Sequence, residues 1–259
     1  MNSPSVRALL VRGMLAGLAA GVLAFLVSYV LGEPRVEDAI ALEEAAAHAS
    51  GGGHHHEAAP VGRALQATAG LGTGVLLYGV ALGGLTALAL CFALGRVGRF
   101  GPRATAAFVA GGAFAAVTLV PFFKYPANPP AVGDPATAGR RTALYLLMIV
   151  LGLLLTAAAV LLGRRLAPRL GGWYASVAGG GFLVTAVAVA YAVLPGVDEV
   201  PAGFPATLIW QFRLSSLAIQ ATLWAGIGLL LGELAHRHLV PERAAGSPAD
   251  RSGSSAVAA

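Results

Sequence analysis

Acidic and imidazole side chains collect on one side of a very apolar chain, and their types suit a divalent metal ion. Glu33, Glu37, Glu44 and His48 follow at intervals of 4, 7 and 4 residues, which puts them on a single face of a helix. After a run of glycines comes His54-His55-His56, and further on Asp198-Glu199 stands between two prolines. Asn128 and Asp134 add side-chain oxygens inside a proline-rich stretch. Carboxylates beside imidazoles suit first-row cations such as Co2+, Ni2+ or Zn2+. The same residues also read as a solvated acidic helix with a low-complexity histidine tract, and three consecutive histidines make a loose collector rather than a shaped site.

The proline-rich stretch, residues 120–145, reads VPFFKYPANPPAVGDPATAGRRTALY and holds five prolines. Each proline fixes φ, removes an N–H and pushes the residue before it out of the α region, so this segment is not one helix. Pro126, Pro129 and Pro130 keep residues 125–132 extended, which leaves successive carbonyls without intrahelical partners. An unpaired carbonyl near hydrocarbon costs roughly 2–7 kcal/mol. Two readings follow. Tyr125, Pro126, Pro129 and Pro130 line an ion path in which carbonyls replace waters, or they form a rigid lid whose carbonyls face water. At and just before the last apolar run, Gln211, Arg213 and Gln220 are further path-lining candidates. Arg213 and Gln220 lie seven apart on one face, and polar groups in a span usually face protein or water.

The elements that must position these groups are membrane helices. Of 259 residues, 57% are apolar and 11% charged, against about 25% charge in a soluble domain. Six runs reach the roughly 20 apolar residues that a span needs: 8–31, 70–94, 104–123, 143–163, 174–194 and 214–234. The expected fold is an all-α integral membrane bundle of about six helices. The first run is expected to be a retained span and not a cleaved leader, since it is long for one and lacks an A-x-A site. Residues 1–236 form the transmembrane domain, with an outer loop at 32–69, and residues 237–259 are expected to be a disordered cytoplasmic tail. With the N-terminus inside, 11 Lys/Arg fall on inner segments and 6 on outer ones, while 9 of the 12 acids fall outside. That asymmetry puts both termini in the cytoplasm of a multi-pass cell-membrane protein.

Gly13, Gly17 and Gly21, then Gly79/Gly83 and Gly228/Gly232, repeat a small-xxx-small spacing that lets helix backbones approach closely in lipid. A faint threefold repeat, near Gly17, Gly111 and Gly179, has each glycine-rich helix run out into a proline-bearing loop and suggests three outward hairpins. Cys91, His236 and His238 read as packing and interfacial residues. The single cysteine excludes a disulfide framework within one chain.

No G-x-x-x-x-G-K-[ST], H-E-x-x-H, G-x-S-x-G or C-x-x-C occurs, and no catalytic constellation is visible, so the chain reads as a non-enzyme without a cofactor. No basic patch with interleaved aromatics points to nucleic acid. No Asp or Glu lies in the middle third of any run, where a proton-coupled carrier usually places one. Either a partner supplies energy and ligands, or ions pass along backbone and hydroxyl oxygens, with Ser28, Tyr29, Tyr78, Thr118 and Tyr145 as candidates.

Three groups of motifs resemble one family. They are Arg12-Gly-Met-Leu-Ala-Gly with Gly32-Glu33-Pro34-Arg-Val-Glu37 and Tyr78-Gly-Val-Ala-Leu-Gly-Gly, the stretch from Pro121 to Pro135, and Glu199-Val-Pro201-Ala-Gly203-Phe-Pro205 running on to Trp210-Gln211-Phe-Arg213. Together they are similar to the family of predicted cobalt transporter subunits of the CbtA type, over about residues 7–236. The resemblance implies a membrane permease subunit that takes up Co2+ for cobalamin synthesis, with a small single-span, histidine-bearing companion subunit. The His54–His56 run is not part of the shared motifs. Ligand chemistry alone does not choose Co2+ over Ni2+, and a non-transporting membrane scaffold or sensor is the reading from a different class.

Overall fold

A computed structural model describes residues 3–49, 62–98 and 100–240, all helix and short connections with no strand among them. The His54–His56 run lies outside the described residues, as does the expected tail from residue 241 onward.

Eight helices follow in order: α1 (Ser3–Val27), α2 (Glu33–Ala49), α3 (Arg63–Leu65), α4 (Leu71–Ala93), α5 (Pro102–Ala113), α6 (Val120–Lys124), α7 (Ala138–Val193) and α8 (Ala206–Leu239). Short π-helical turns join α1 to α2, α3 to α4 and α5 to α6, giving three continuous rods. Five stretches are long and apolar enough to cross a membrane. One of them, the 56-residue α7, is two helices meeting at Gly171, where φ is +77°. Its limbs fold back on each other, since a Cβ on Gly179 of the second limb would come within 2.9 Å of the Ala159 carbonyl oxygen of the first. The bundle therefore has six apolar limbs, close to the six runs read from sequence.

Hydropathy ends the first span at residue 31, but the structure carries the helix on, as one 45-residue stretch from Ser5 to Ala49. Pro34 lacks an N–H and its ring crowds the carbonyl four residues back. The helix answers by widening, so the Glu33 N–H bonds to the Ser28 carbonyl five residues earlier. The same device precedes Pro121, where the Val120 N–H bonds to the Ala115 carbonyl. Two of the three repeats thus share a π-turn followed by proline, whereas the third helix ends at Val193, before Pro195.

The core is built from backbone contact. A Cβ on Gly17 would overlap the Gly79 carbonyl oxygen, one on Gly83 would overlap that of Gly13, and one on Gly152 would overlap that of Ala116. The first two contacts join α1 to α4, and the third joins the first limb of α7 to the π-turn after α5. α8 packs on α1 and α5. Leu9, Leu90, Ala106, Leu231 and Ala235 close the end of the bundle where α1 begins, the inner end on the charge asymmetry alone, while Ala20, Ala24, Leu223 and Ile227 fill the middle. Leu15, Leu26, Leu154, Val184 and Val193 stay exposed on the outside of the bundle, as lipid contact requires.

The glycine contacts generate a direct test. Gly17→Ala is expected to force α1 and α4 apart and destabilise the purified protein by about 1–3 kcal/mol. Gly180→Ala, at a position with nothing within 4 Å, is expected to leave the melting temperature unchanged or slightly raised. Thermal unfolding in detergent, followed by size-exclusion chromatography, separates the two; equal behaviour would refute the packing account.

Candidate functional site

Polar residues meet at the end of the bundle opposite the start of α1, the outer end by the charge asymmetry, where α6 ends and α7 and α8 begin. From Tyr125 onward the prolines prevent helix, and the chain turns at Pro130-Ala131. The Val132 N–H bonds back to the Pro129 carbonyl at 3.3 Å, and Ala131 takes φ of +66°, the form of a type II turn. Pro129 and Val132 are buried, so the turn is tucked against the bundle.

Three sets of polar ties hold this loop to its neighbours. Arg213 of α8 donates from Nη2 to Asn128 Oδ1 at 2.9 Å and from Nε to the Ala127 carbonyl at 3.3 Å. Glu199, in the loop before α8, accepts from the Thr137 hydroxyl at 2.7 Å and the Asp134 N–H at 2.9 Å, and pairs with Arg141 Nη1 at 3.2 Å. Tyr125 donates its hydroxyl proton to the Pro195 carbonyl at 2.9 Å, while Lys124 donates to the Tyr191 carbonyl at 2.8 Å. Gly133 suits its φ of +122°, which strains any L side chain, and a Cβ there would also displace the Arg141 guanidinium. The Thr137 hydroxyl above all, then the Asp134 N–H, and then the Arg141 and Arg140 charges hold the Glu199 carboxyl below its ordinary range.

Two cavities lie under and beside the loop. The outer one, of about 400 Å3, is lined among others by Asn128, Arg141, Asp198, Glu199 and Arg213. The deeper one, of about 420 Å3, is lined among others by Thr118, Ser216 and Gln220. Tyr125, Pro126 and Tyr145 form walls of both.

Of the residues singled out from sequence, Tyr125, Pro126, Asn128, Asp198, Glu199 and Arg213 share the outer cavity, and Gln220 lines the deeper one. Asp134 adjoins through its backbone, while its carboxylate caps the short 3-10 turn Pro135–Thr137 by accepting from the Ala136 N–H. Pro130 stands in the turn, and Gln211 is exposed. Glu33, half-buried beside the first π-turn, is paired with Arg63. Glu37, Glu44 and His48 are exposed along α2. Among the described residues, no three His, Cys, Asp or Glu side chains come together in a group able to hold a metal ion. Sequence reasoning missed Thr137, Arg141, Tyr191 and Ser216. Arg140-Arg141 carried a signal, since two adjacent cations on the outer side run against the charge asymmetry of the rest.

A family model described as probable cobalt transporter subunit (CbtA) matches residues 6–236. The chain belongs to that family. No curated protein and no solved structure gave a match. Membership makes the chain a membrane protein of cobalt transport, one subunit of a larger assembly, and gives its apolar helices their role as multiple membrane passes. The loop that the Arg213 and Glu199 ties fasten lies wholly within the matched region.

The Glu199 cluster has a pH consequence. A carboxyl held below its unfolded value of about 4.3 stabilises the fold above that pH, and the contribution is lost as pH falls through the folded value. The melting temperature of the purified protein is therefore expected to drop as pH goes from about 5 to 3. Glu199→Gln should show a smaller acid drop. An identical pH profile in the two proteins would show that these contacts contribute nothing to stability.

Proposed function

We propose that the chain is the permease subunit of a Co2+ uptake system supplying cobalamin synthesis. The observation that carries this reading is the pair of cavities with shared walls, which descends from the outer surface into a bundle of the cobalt transporter family. A scaffold or sensor needs an outer surface but no polar space at membrane depth. In this reading the exposed Glu37, Glu44 and His48 of α2, with the His54–His56 run, raise the local concentration of the ion. Asp198 and Glu199 receive it at the outer cavity, and the Tyr125–Tyr145 walls lead it inward. The Arg141 guanidinium is paired with Glu199, which lessens its repulsion of a cation, while Arg213 is turned toward the neutral oxygens of Asn128 and Ala127. A small single-span subunit bearing histidines is the proposed partner, since imidazole is a good ligand for Co2+. Both termini are assigned to the cytoplasm from the charge asymmetry.

Uptake of radioactive cobalt, with and without the chain and the small subunit, tests the reading, with nickel as competitor. Cobalt accumulation that depends on the chain supports it. Outer-loop binding of a partner without accumulation would instead mean a scaffold or sensor, and preferential nickel uptake would correct the metal. Reporter fusions near residues 99 and 165 should read as cytoplasmic and those near 52 and 134 as external; an external C-terminus would overturn the topology.

The collector residues yield a graded expectation. Replacing His54, His55 and His56 with Ala should lower uptake only at scarce metal. Glu37→Gln with Glu44→Gln should lower it several-fold across concentrations, because one helix face presents both. Equal and severe loss in both variants would make the histidines part of the path itself.

A further inference from the structure

The deeper cavity differs in chemistry from the outer one. Its lining carries no carboxylate, imidazole or thiol; its polar groups are the hydroxyls of Thr118, Ser216, Tyr125 and Tyr145 and the amide of Gln220. Thr118 is seven residues inward of Tyr125, and at 1.5 Å per residue the cavity reaches about 10 Å below the outer end of that rod. Gln220 Oε1 is buried there and finds no hydrogen-bond partner among the described residues. A buried amide oxygen without a partner is costly, and a turn of the Gln220 amide brings its polar atoms to the cavity that the residue lines. The wall opposite is the π-turn Phe114–Leu119, which holds Thr118. Single π-turns within helices are frequent at functional positions. One turn further in on α8, the Trp224 indole N–H donates to Thr118 Oγ1 at 3.2 Å, and Trp224 is 4% exposed, so a buried polar bond lies just inward of the space.

The space fits a hydrated ion. A divalent cation with about six waters, at about 30 Å3 each, needs ~180 Å3, and the cavity offers about 420 Å3. Neutral oxygens accept from the outward-pointing hydrogens of such waters without binding the metal tightly. Weak holding is what a path requires, since an ion must leave as readily as it enters. We propose that this chamber is a transit station in which the divalent cation rests with its waters against the neutral oxygens of Thr118, Ser216 and Gln220, above an inner gate formed by the Trp224–Thr118 bond. The station rests on the permease reading and adds to it where the ion pauses and in what state. Selection at this point acts on the size and charge of the aquo ion, and the choice between metals of similar hydration belongs to other ligands.

The test uses cells making the full chain together with its small subunit, and membranes prepared from them. Gln220→Leu, close in shape and lacking the amide, should lower cobalt uptake at least tenfold at unchanged protein level. Gln220→Glu should raise equilibrium Co2+ binding to the membranes at least tenfold and slow uptake, because a buried carboxylate turns the resting place into a trap. Uptake by Gln220→Leu within twofold of the wild type, or no gain in binding by Gln220→Glu, overturns the station. Should Gln220→Leu fail to reach the membrane, the binding gain of Gln220→Glu decides alone. Absence of uptake by the wild-type chain would count against the permease reading, and the Co2+ binding measurement would still decide whether the chamber accepts the ion.

Discussion

Two helices in lipid gain nothing by hiding apolar surface from each other, so this bundle depends on backbones that touch. The contacts of Gly17 with Gly79 and of Gly83 with Gly13 make α1 and α4 one unit, and α8 and α5 lie along it. The α7 hairpin is attached by the same means, through Gly152 against Ala116. Inward of that contact α7 stands clear of α5, and a cavity of about 480 Å3 opens beside the α7 limbs. Outward of it Phe122, Tyr125 and Tyr145 wall the deeper cavity. Gly152 therefore fixes the docking of the hairpin.

The prolines act on the same geometry from the other direction. In a soluble protein Pro34 and Pro121 would be expected to end their helices. Here an ended helix would leave carbonyls in hydrocarbon, and the chain instead widens by one residue and continues. The widened turns turn backbone toward α8, whose Ser215 hydroxyl donates to the Leu31 carbonyl in the first of them at 3.0 Å. In the second, Thr118 receives the Trp224 indole. Both π-turns thus end as polar contacts with α8.

Much of this architecture was legible in the sequence. Hydropathy and length gave the helical membrane class and the six limbs, because a span has to be apolar for its full length. Small-xxx-small spacing identified Gly17, Gly79 and Gly83 as packing residues, because only close approach explains such a repeat in lipid. The unbroken rod from α1 through α2 was not legible, since proline statistics describe helices in water and Gly32-Glu33-Pro34 reads as an end there. Nor was the role of Arg141 or Thr137, whose partner Glu199 lies some sixty residues away in sequence. Hydrogen bonds of that range leave no local pattern. The threefold repeat was partly visible and partly misleading, for α8 leaves its sequence neighbour to pack on α1 and α5.

The two ends of the molecule are held by different kinds of force. At the inner end Leu9, Leu90 and Leu231 are fully buried, and Arg103 and Arg237 add an exposed tie to Glu233. At the outer end the loop after α6 is tied to α8 by Asn128–Arg213, the loop before α8 is tied to α7 by Glu199–Arg141, and Glu199 joins the two loops through Thr137 and the Asp134 N–H, all partly open to solvent. Partly exposed ties of this kind are weak and exchange readily with water or with an arriving ion, whereas packed apolar surface and touching backbones do not. Local opening is therefore cheapest at the mouth of the cavities and dearest at the opposite side of the bundle. On the permease reading proposed above, a protein that admits an ion on one side while keeping the membrane sealed on the other needs that gradient. Here it follows from where the sequence spends its glycines and where it spends its charges.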